Sequence, residues 1–228
     1  MNVIVTGASK GIGRELVRIF AADERVNTVF ALSRDAGKLS KFKNPKIKAL
    51  PFDLTSGNFK MLVGKIKAHA ATIDALVNNA GTLVNKAFEK ISAEELRAVY
   101  ESNVFGAFRL TQAMLPLLKR SKHAHVLNIS SMGGFQGSAK FKGLSAYSSS
   151  KGALAILSEC LAEELREKNI SVNCLCLGAV QTEMLNKAFP GYKAPLNAKQ
   201  MAGFIADFTM NGHRYFNGKI LPVSLSTP

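Results

Sequence analysis

Short apolar runs alternate with longer stretches of helical periodicity along the whole chain. The first strand is "NVIVT" (2–6), and apolar positions at helical spacing follow from about Ile12 to Ala22. "NTVFALS" and "KIKALPF" read as the second and third strands, and a helix from about Gly57 to Ala70 leads to a fourth in "IDALVNNAG". One long helix from Ala93 to about Lys119 precedes "AHVLNIS". Another, from Tyr147 to about Lys168, precedes "ISVNCLCLG". A last helix over 198–210 leads to "GKILPVSL". Continuous apolar strands separated by helices indicate a parallel sheet buried on both faces. The pattern predicts an α/β fold: a single Rossmann-type domain over 1–228, doubly wound, with about seven parallel strands and helices on both faces. In such sheets ligands bind beyond the carboxyl ends of the strands.

Composition narrows the class only modestly. Of the 228 residues 47% are hydrophobic and 20% charged, an ordinary globular balance. No apolar run reaches the roughly 20 residues that cross a bilayer, and the chain start lacks the pattern of a secretory signal. Cys160, Cys174 and Cys176 include no C-x-x-C pair and read as reduced thiols, so a cytoplasmic protein without a membrane partner is expected. The net charge of +14 admits nucleic acid, an acidic partner or an anionic cofactor. Apart from "KLSKFKNPKIK" (38–48) the lysines are dispersed, and no nucleic-acid-binding motif is present, so no nucleic-acid partner is expected. The four histidines are scattered and His123-x-His125 lacks a third ligand nearby, so no metal site is expected.

Two stretches carry the chemistry. "TGASKGIG" (6–13) joins the first strand to the first helix, where Gly7, Gly11 and Gly13 permit a tight turn and close backbone approach. The helix start offers unpaired N–H groups and a positive dipole end to a pyrophosphate. "YSSSK" (147–151) sets a phenol and an ammonium four positions apart, on one helical face. A cation beside Tyr147 is expected to lower its pKa from about 10 and make it a general acid/base.

With "NNAG" (78–81), Asn103 and "NISS" (128–131) in order between them, these motifs resemble the short-chain dehydrogenase/reductases over essentially the whole chain. The resemblance implies an oxidoreductase that moves a hydride between a nicotinamide cofactor and a carbonyl or alcohol. It makes Tyr147 the proton donor and Lys151 the group that tunes it and holds the nicotinamide ribose. Ser131 would donate to the substrate oxygen, and Asn103 would hold a water linking Lys151 to solvent. For the cofactor it implies Gly7, Ser9, Lys10, Gly11, Ile12 and Gly13 at the phosphates, and Ser33, Arg34, Asp53 and Leu54 at the adenosine. Asn79, Ala80 and Gly81 would follow along the cleft, with Gly178, Val180 and Thr182 at the nicotinamide end.

An acid about 20 positions past the glycines favours NAD. Here Ser33 stands there and Arg34 follows, while Asp35 is expected to cap the next helix. Arg34 can grip a 2′-phosphate bidentately, and Lys10 is expected to add a second positive charge, so NADP(H) is expected rather than NAD(H). Asp53 resembles the family's adenine-contacting acid, with the N-cap of the following helix as its other reading.

Two stretches depart from the family pattern. Ser131 and Tyr147 are separated by a longer Gly-rich loop than most members have, expected to be flexible, with Phe135 and Phe141 as apolar pocket contacts. In "LGAVQT" (177–182), Leu177 stands where the family has proline, which leaves the stiffness of that turn open. The expectation is an NADP(H)-dependent carbonyl reductase acting on a small molecule, as a homodimer or homotetramer pairing its two long helices. The alternatives are a 3-oxoacyl thioester reductase served by an acidic carrier, and an NADP-sensing regulator without catalysis.

Overall fold

The structure, a computed structural model, describes residues 1–226. Among these residues are nine strands and eight α-helices, for the most part alternating. β1 (Asn2–Thr6), α1 (Gly11–Ala22), β2 (Thr28–Ser33), the single turn α2 (Ala36–Leu39), β3 (Ile47–Pro51) and α3 (Phe59–Lys67) make the first half. β4 (Ala75–Asn78), α4 (Ala93–Tyr100), α5 (Gly106–Leu118), β5 (Ala124–Ser131), α6 (Ser145–Glu164) and β6 (Ile170–Leu177) follow. The chain then forms β7 (Val180–Gln181), α7 (Glu183–Ala188), β8 (Leu196–Asn197), α8 (Ala198–Asn211) and β9 (Ile220–Val223).

Seven strands form one parallel sheet in the order β3-β2-β1-β4-β5-β6-β9, as the apolar runs predict. Alternation across the pleat explains its two cores. In β1, Val3 and Val5 point to the side covered by α1 and α8, with Leu16, Phe20, Ile205 and Phe208. Ile4 points to the side covered by α3, α5 and α6, with Ile66, Leu110, Met114 and Leu165. All three β1 residues are fully buried. The two-residue ladder β7–β8 and the short helices α2 and α7 lie below the length at which periodicity shows.

Two helices differ from the pattern reading. α3 begins at Phe59, because the Asn58 side chain accepts a hydrogen bond from Met61 N and caps it there. The expected helix over 93–119 is interrupted by a π-helical turn, Glu101–Phe105, around the buried Asn103. The Asn103 amide exchanges two hydrogen bonds with the Thr82 backbone: Thr82 N donates to Oδ1 at 2.8 Å, and Nδ2 donates to Thr82 O at 2.9 Å. An amide so engaged holds the locally widened helix against the loop after β4.

The strand order reverses between β1 and β4, where crossovers leave on opposite faces and open a cleft at the carboxyl edge. The parallel register brings Thr6, Asn78, Ser131 and Leu177 to that edge together.

Candidate active site

A cavity of about 320 Å³ occupies the cleft, and every expected cofactor residue lines it, from Gly7 through Arg34, Asp53 and Asn79 to Thr182. Ser131, Tyr147 and Lys151 line it as well. Asn103 does not; it stands one layer behind, its Nδ2 also donating to Ser150 Oγ at 2.9 Å. Ser150 in turn donates to the Tyr147 carbonyl at 2.7 Å, so Asn103 reaches the first turns of α6 through their backbone.

At the floor, Thr6 Oγ1 accepts hydrogen bonds from Asn79 N and Ala80 N, both at 2.9 Å. Asn79 Nδ2 donates to Thr6 O at 2.9 Å. These bonds tie the loop after β4 to the glycine turn. Gly13 packs so close to that turn that a side-chain carbon would strike the Gly7 carbonyl. Above it, α1 has no side-chain cap and no acidic residue in its first turn. Its orphan N–H groups and dipole suit a pyrophosphate, so the residues present fit a dinucleotide.

Asp35 Oδ1 accepts from Lys38 N at 2.9 Å and caps α2, so this acid is directed away from the cleft. Ser33 Oγ accepts from Asp35 N at 3.3 Å. Arg34 is exposed and free of ion pairs among the described residues. Lys10 Nζ instead pairs with Glu183 Oε2 at 3.0 Å, because α7 brings that carboxylate across the cleft. Lys10, expected at the phosphates, lines the cavity and in this structure also pairs with α7. Asp53 Oδ1 accepts from Thr55 N and Oγ1 at 2.9 and 2.8 Å, so it closes its own turn and leaves the cap of α3 to Asn58.

Around the reacting groups, Lys151 is buried and Nζ donates to Ile129 O at 2.7 Å, 5.9 Å from the Tyr147 ring centre. The expected lowering of the phenol pKa does not hold in this structure. Burial raises it, with only part offset by the Ser131 hydroxyl, and burial also lowers Lys151 to about 8. Both effects have one cause: each group's charged form loses hydration, at half-buried Tyr147 on the cavity wall and at buried Lys151 beneath it. At neutral pH the pair is a protonated phenol beside an ammonium. Ser131 Oγ accepts from Gly133 N at 3.2 Å and keeps its own proton to donate, while Ser130 Oγ donates to Lys151 O at 2.8 Å.

The two departures resolve structurally. Phe141 lines the cavity, but Phe135 does not; it packs with Ala155, Cys174 and Cys176 under α6. The loop expected to be flexible is tied down, with Ser138 Oγ bonding Met132 O and Phe135 O and Lys140 Nζ donating to Phe135 O at 2.7 Å. The turn at Leu177 is held from outside. Gly178 N donates to Val223 O at 2.9 Å, Ala179 N to Ser226 O at 3.0 Å, and Tyr192 Oη to Ser226 Oγ at 2.9 Å. A side chain at Gly178 would strike Ser224 Oγ, so this glycine serves the segment after β9 as well as the cleft. Thr182 caps α7 by accepting from Leu185 N at 3.2 Å, with its hydroxyl proton free.

Thr6, Leu83 and Leu144 also line the cavity and escape the sequence reading. Thr6 closes the strand just before the glycines, a position that could have drawn attention. The other two have no local signal.

Comparison with known proteins agrees with this geometry. The family model for short chain dehydrogenase matches residues 1–193. A 3-oxoacyl-[acyl-carrier-protein] reductase of Escherichia coli is 29% identical over 202 residues, covering 88% of this chain and 82% of the relative. Among solved structures, a Pseudomonas aeruginosa RhlG/NADP complex superposes with TM-score 0.83 at 29% identity, covering 98% of this chain and 94% of the other. A Brucella melitensis 3-ketoacyl-(acyl-carrier-protein) reductase with NADH superposes at TM-score 0.88 and 22% identity, covering 98% of this chain and 96% of the other, a likeness of fold. The chain belongs to the short-chain dehydrogenase/reductase family. It is an oxidoreductase dependent on a nicotinamide dinucleotide.

Proposed function

We propose that the protein reduces a carbonyl compound to an alcohol with NADPH. The observation that carries this reading is the convergence of Tyr147, Lys151 and Ser131 on one cavity whose other walls suit a dinucleotide. The cofactor, when bound, supplies the hydride. Ser131 Oγ donates to the carbonyl oxygen as negative charge develops there. Tyr147 Oη delivers the proton to that oxygen, and the Lys151 ammonium stabilises the phenolate left behind. Asn103 holds the turn of α6 that carries both, through Ser150.

Three features support NADP(H) over NAD(H): the exposed Arg34, the uncharged Ser33, and the engagement of Asp35 with α2. A second cavity of about 300 Å³ meets the first at Ser9 and is lined by Arg14, Arg18, Lys38, Lys41 and Lys43. Its positive field favours the more highly charged cofactor. The same placement weakens the 3-oxoacyl carrier reading, because the basic cluster flanks the adenosine end rather than the substrate end. The 3-oxoacyl reductases among the relatives keep that reading as the second one. An NADP-sensing regulator without chemistry would not require the proton-donating pair. We further propose a homodimer or homotetramer pairing α4–α5 and α6, where Leu96, Phe105, Phe108 and Ile156 are exposed. Light scattering that returned a monomer mass would remove this assembly.

The test of the activity is NADPH oxidation against aldehydes, ketones and 3-oxoacyl thioesters by the wild type and Tyr147→Phe. The variant should lose at least about a hundredfold in kcat, the scale of general acid catalysis, with NADPH affinity nearly intact. Retention of more than about a tenth of the rate would remove Tyr147 as the acid.

A further inference from the structure

The substrate end of the cavity has an apolar wall of its own. Phe141, from the long loop before α6, packs edge-on against Phe189, just after α7, with ring centres 5.3 Å apart and planes at 77°. Both rings line the cavity. Leu83, Leu144 and Ala188 are buried with them, and Met184 and the Tyr147 ring complete a cluster separate from the two sheet cores.

Three loops meet here, and their bonding shows that the meeting is built. Asn85 Nδ2 donates to Ala188 O at 2.8 Å, and Lys86 N donates to Gly143 O at 3.1 Å. Gly143 turns the chain at φ 83°, and a side chain there would collide with Asn85 Oδ1. Phe141 is thereby fixed two residues before a turn that only glycine fits.

The side chains of this wall are apolar or aromatic. Lys142 and Lys187, beside it in sequence, are exposed, Lys86 Nζ pairs with Glu95, and Lys140 Nζ turns back onto its own loop. The buried Lys151 Nζ, 5.9 Å from the Tyr147 ring centre, is bonded to Ile129 O. A carboxylate or phosphate held against these rings would lose its hydration with no ion-pair partner among them. An aromatic or branched apolar group would meet ring edges and faces.

We propose that Phe141 and Phe189 form an aromatic clasp that selects carbonyl compounds with an uncharged, apolar or aromatic substituent, with Phe141 setting the size limit. This rests on the reductase reading above and adds the substrate class.

The experiment compares wild type, Phe141→Leu and Phe141→Ala with NADPH. The substrates are methyl ketones and aldehydes of increasing alkyl or aryl size, each aryl member paired with its ring-carboxylated analogue. The wild type should favour the uncharged member of each pair by about tenfold or more in kcat/KM. Phe141→Ala should raise KM about tenfold for small substrates and shift the optimum to larger ones, with NADPH affinity unchanged and Phe141→Leu between. Equal loss at every size, or preference for the carboxylated members, would overturn the clasp. If the wild type reduces no carbonyl, the reductase reading fails on its own. Saturation-transfer NMR of 2-naphthalenemethanol with NADP⁺ then decides the clasp. Binding lost in Phe141→Ala supports it, and binding equal to wild type overturns it.

Discussion

Arg34 follows the last residue of β2, its guanidinium exposed and matched by no carboxylate within ion-pair distance among the described residues. A charge-assisted bond to a 2′-phosphate is worth about 1.5–3 kcal/mol. Arg34→Ala should therefore weaken NADPH binding about ten- to a hundredfold and leave NADH nearly untouched. Dissociation constants for both cofactors at one salt concentration measure this, and equal losses would make Arg34 structural. Lys10 adds a contrast at the same scale. Its pair with Glu183 is exposed and screened by solvent, so Glu183→Gln should change affinity far less than Arg34→Ala.

At the scale of elements, the turn between β6 and β7 shows how a missing proline is compensated. Proline would restrict that turn through its own ring. Here the end of β9 and the segment after it each accept one backbone bond from the turn, and Tyr192 holds that segment from the other side. Gly178→Ala should push Ser224 away and loosen both bonds, raising the NADPH dissociation constant about tenfold or more. Tyr192→Phe, which removes one hydrogen bond, should do so only severalfold. Titration of each variant with NADPH checks the order, and no change in Gly178→Ala would show that the turn needs no such grip. The π-helical turn teaches a related lesson. Apolar spacing carries the helix across 93–119 without a break, and Asn103 widens it because its amide finds a backbone partner 21 residues earlier.

For the whole molecule, His125 links the sheet to the last helix layer. It is fully buried in β5, Nδ1 donating to Thr209 O at 2.9 Å and Nε2 accepting from Asn173 Nδ2 at 3.0 Å. Only the neutral ring satisfies both partners, and burial lowers its pKa from 6.5 to about 4. The unfolded chain takes up this proton near 6.5, the folded one only near 4. The contribution is therefore fully present above 6.5 and is lost as pH falls between these values, reaching about 3 kcal/mol at about 1.4 kcal/mol per unit. Urea unfolding from pH 7 to 4 should show this slope, and His125→Gln should flatten it. A slope unchanged in the variant would place the acid sensitivity elsewhere.

Period and order along the chain determined the seven parallel strands, the cleft at their carboxyl edge, and the cavity positions of the glycine turn, of residues 79–81 and of Tyr147 and Lys151. They are legible because strand burial on two faces, glycine turns and a four-residue helical offset are local properties, written where they act. Asp35 as a cap was legible for the same reason. What tertiary structure decided lies between segments far apart. The partner of Lys10 sits 173 residues away, and the Tyr147 phenol is raised rather than lowered because neighbouring layers strip its hydration. The split between Phe135 and Phe141, six residues apart on one loop, follows from which wall each side of the loop meets. Contacts and desolvation arise only once the layers pack, so no window of sequence contains them.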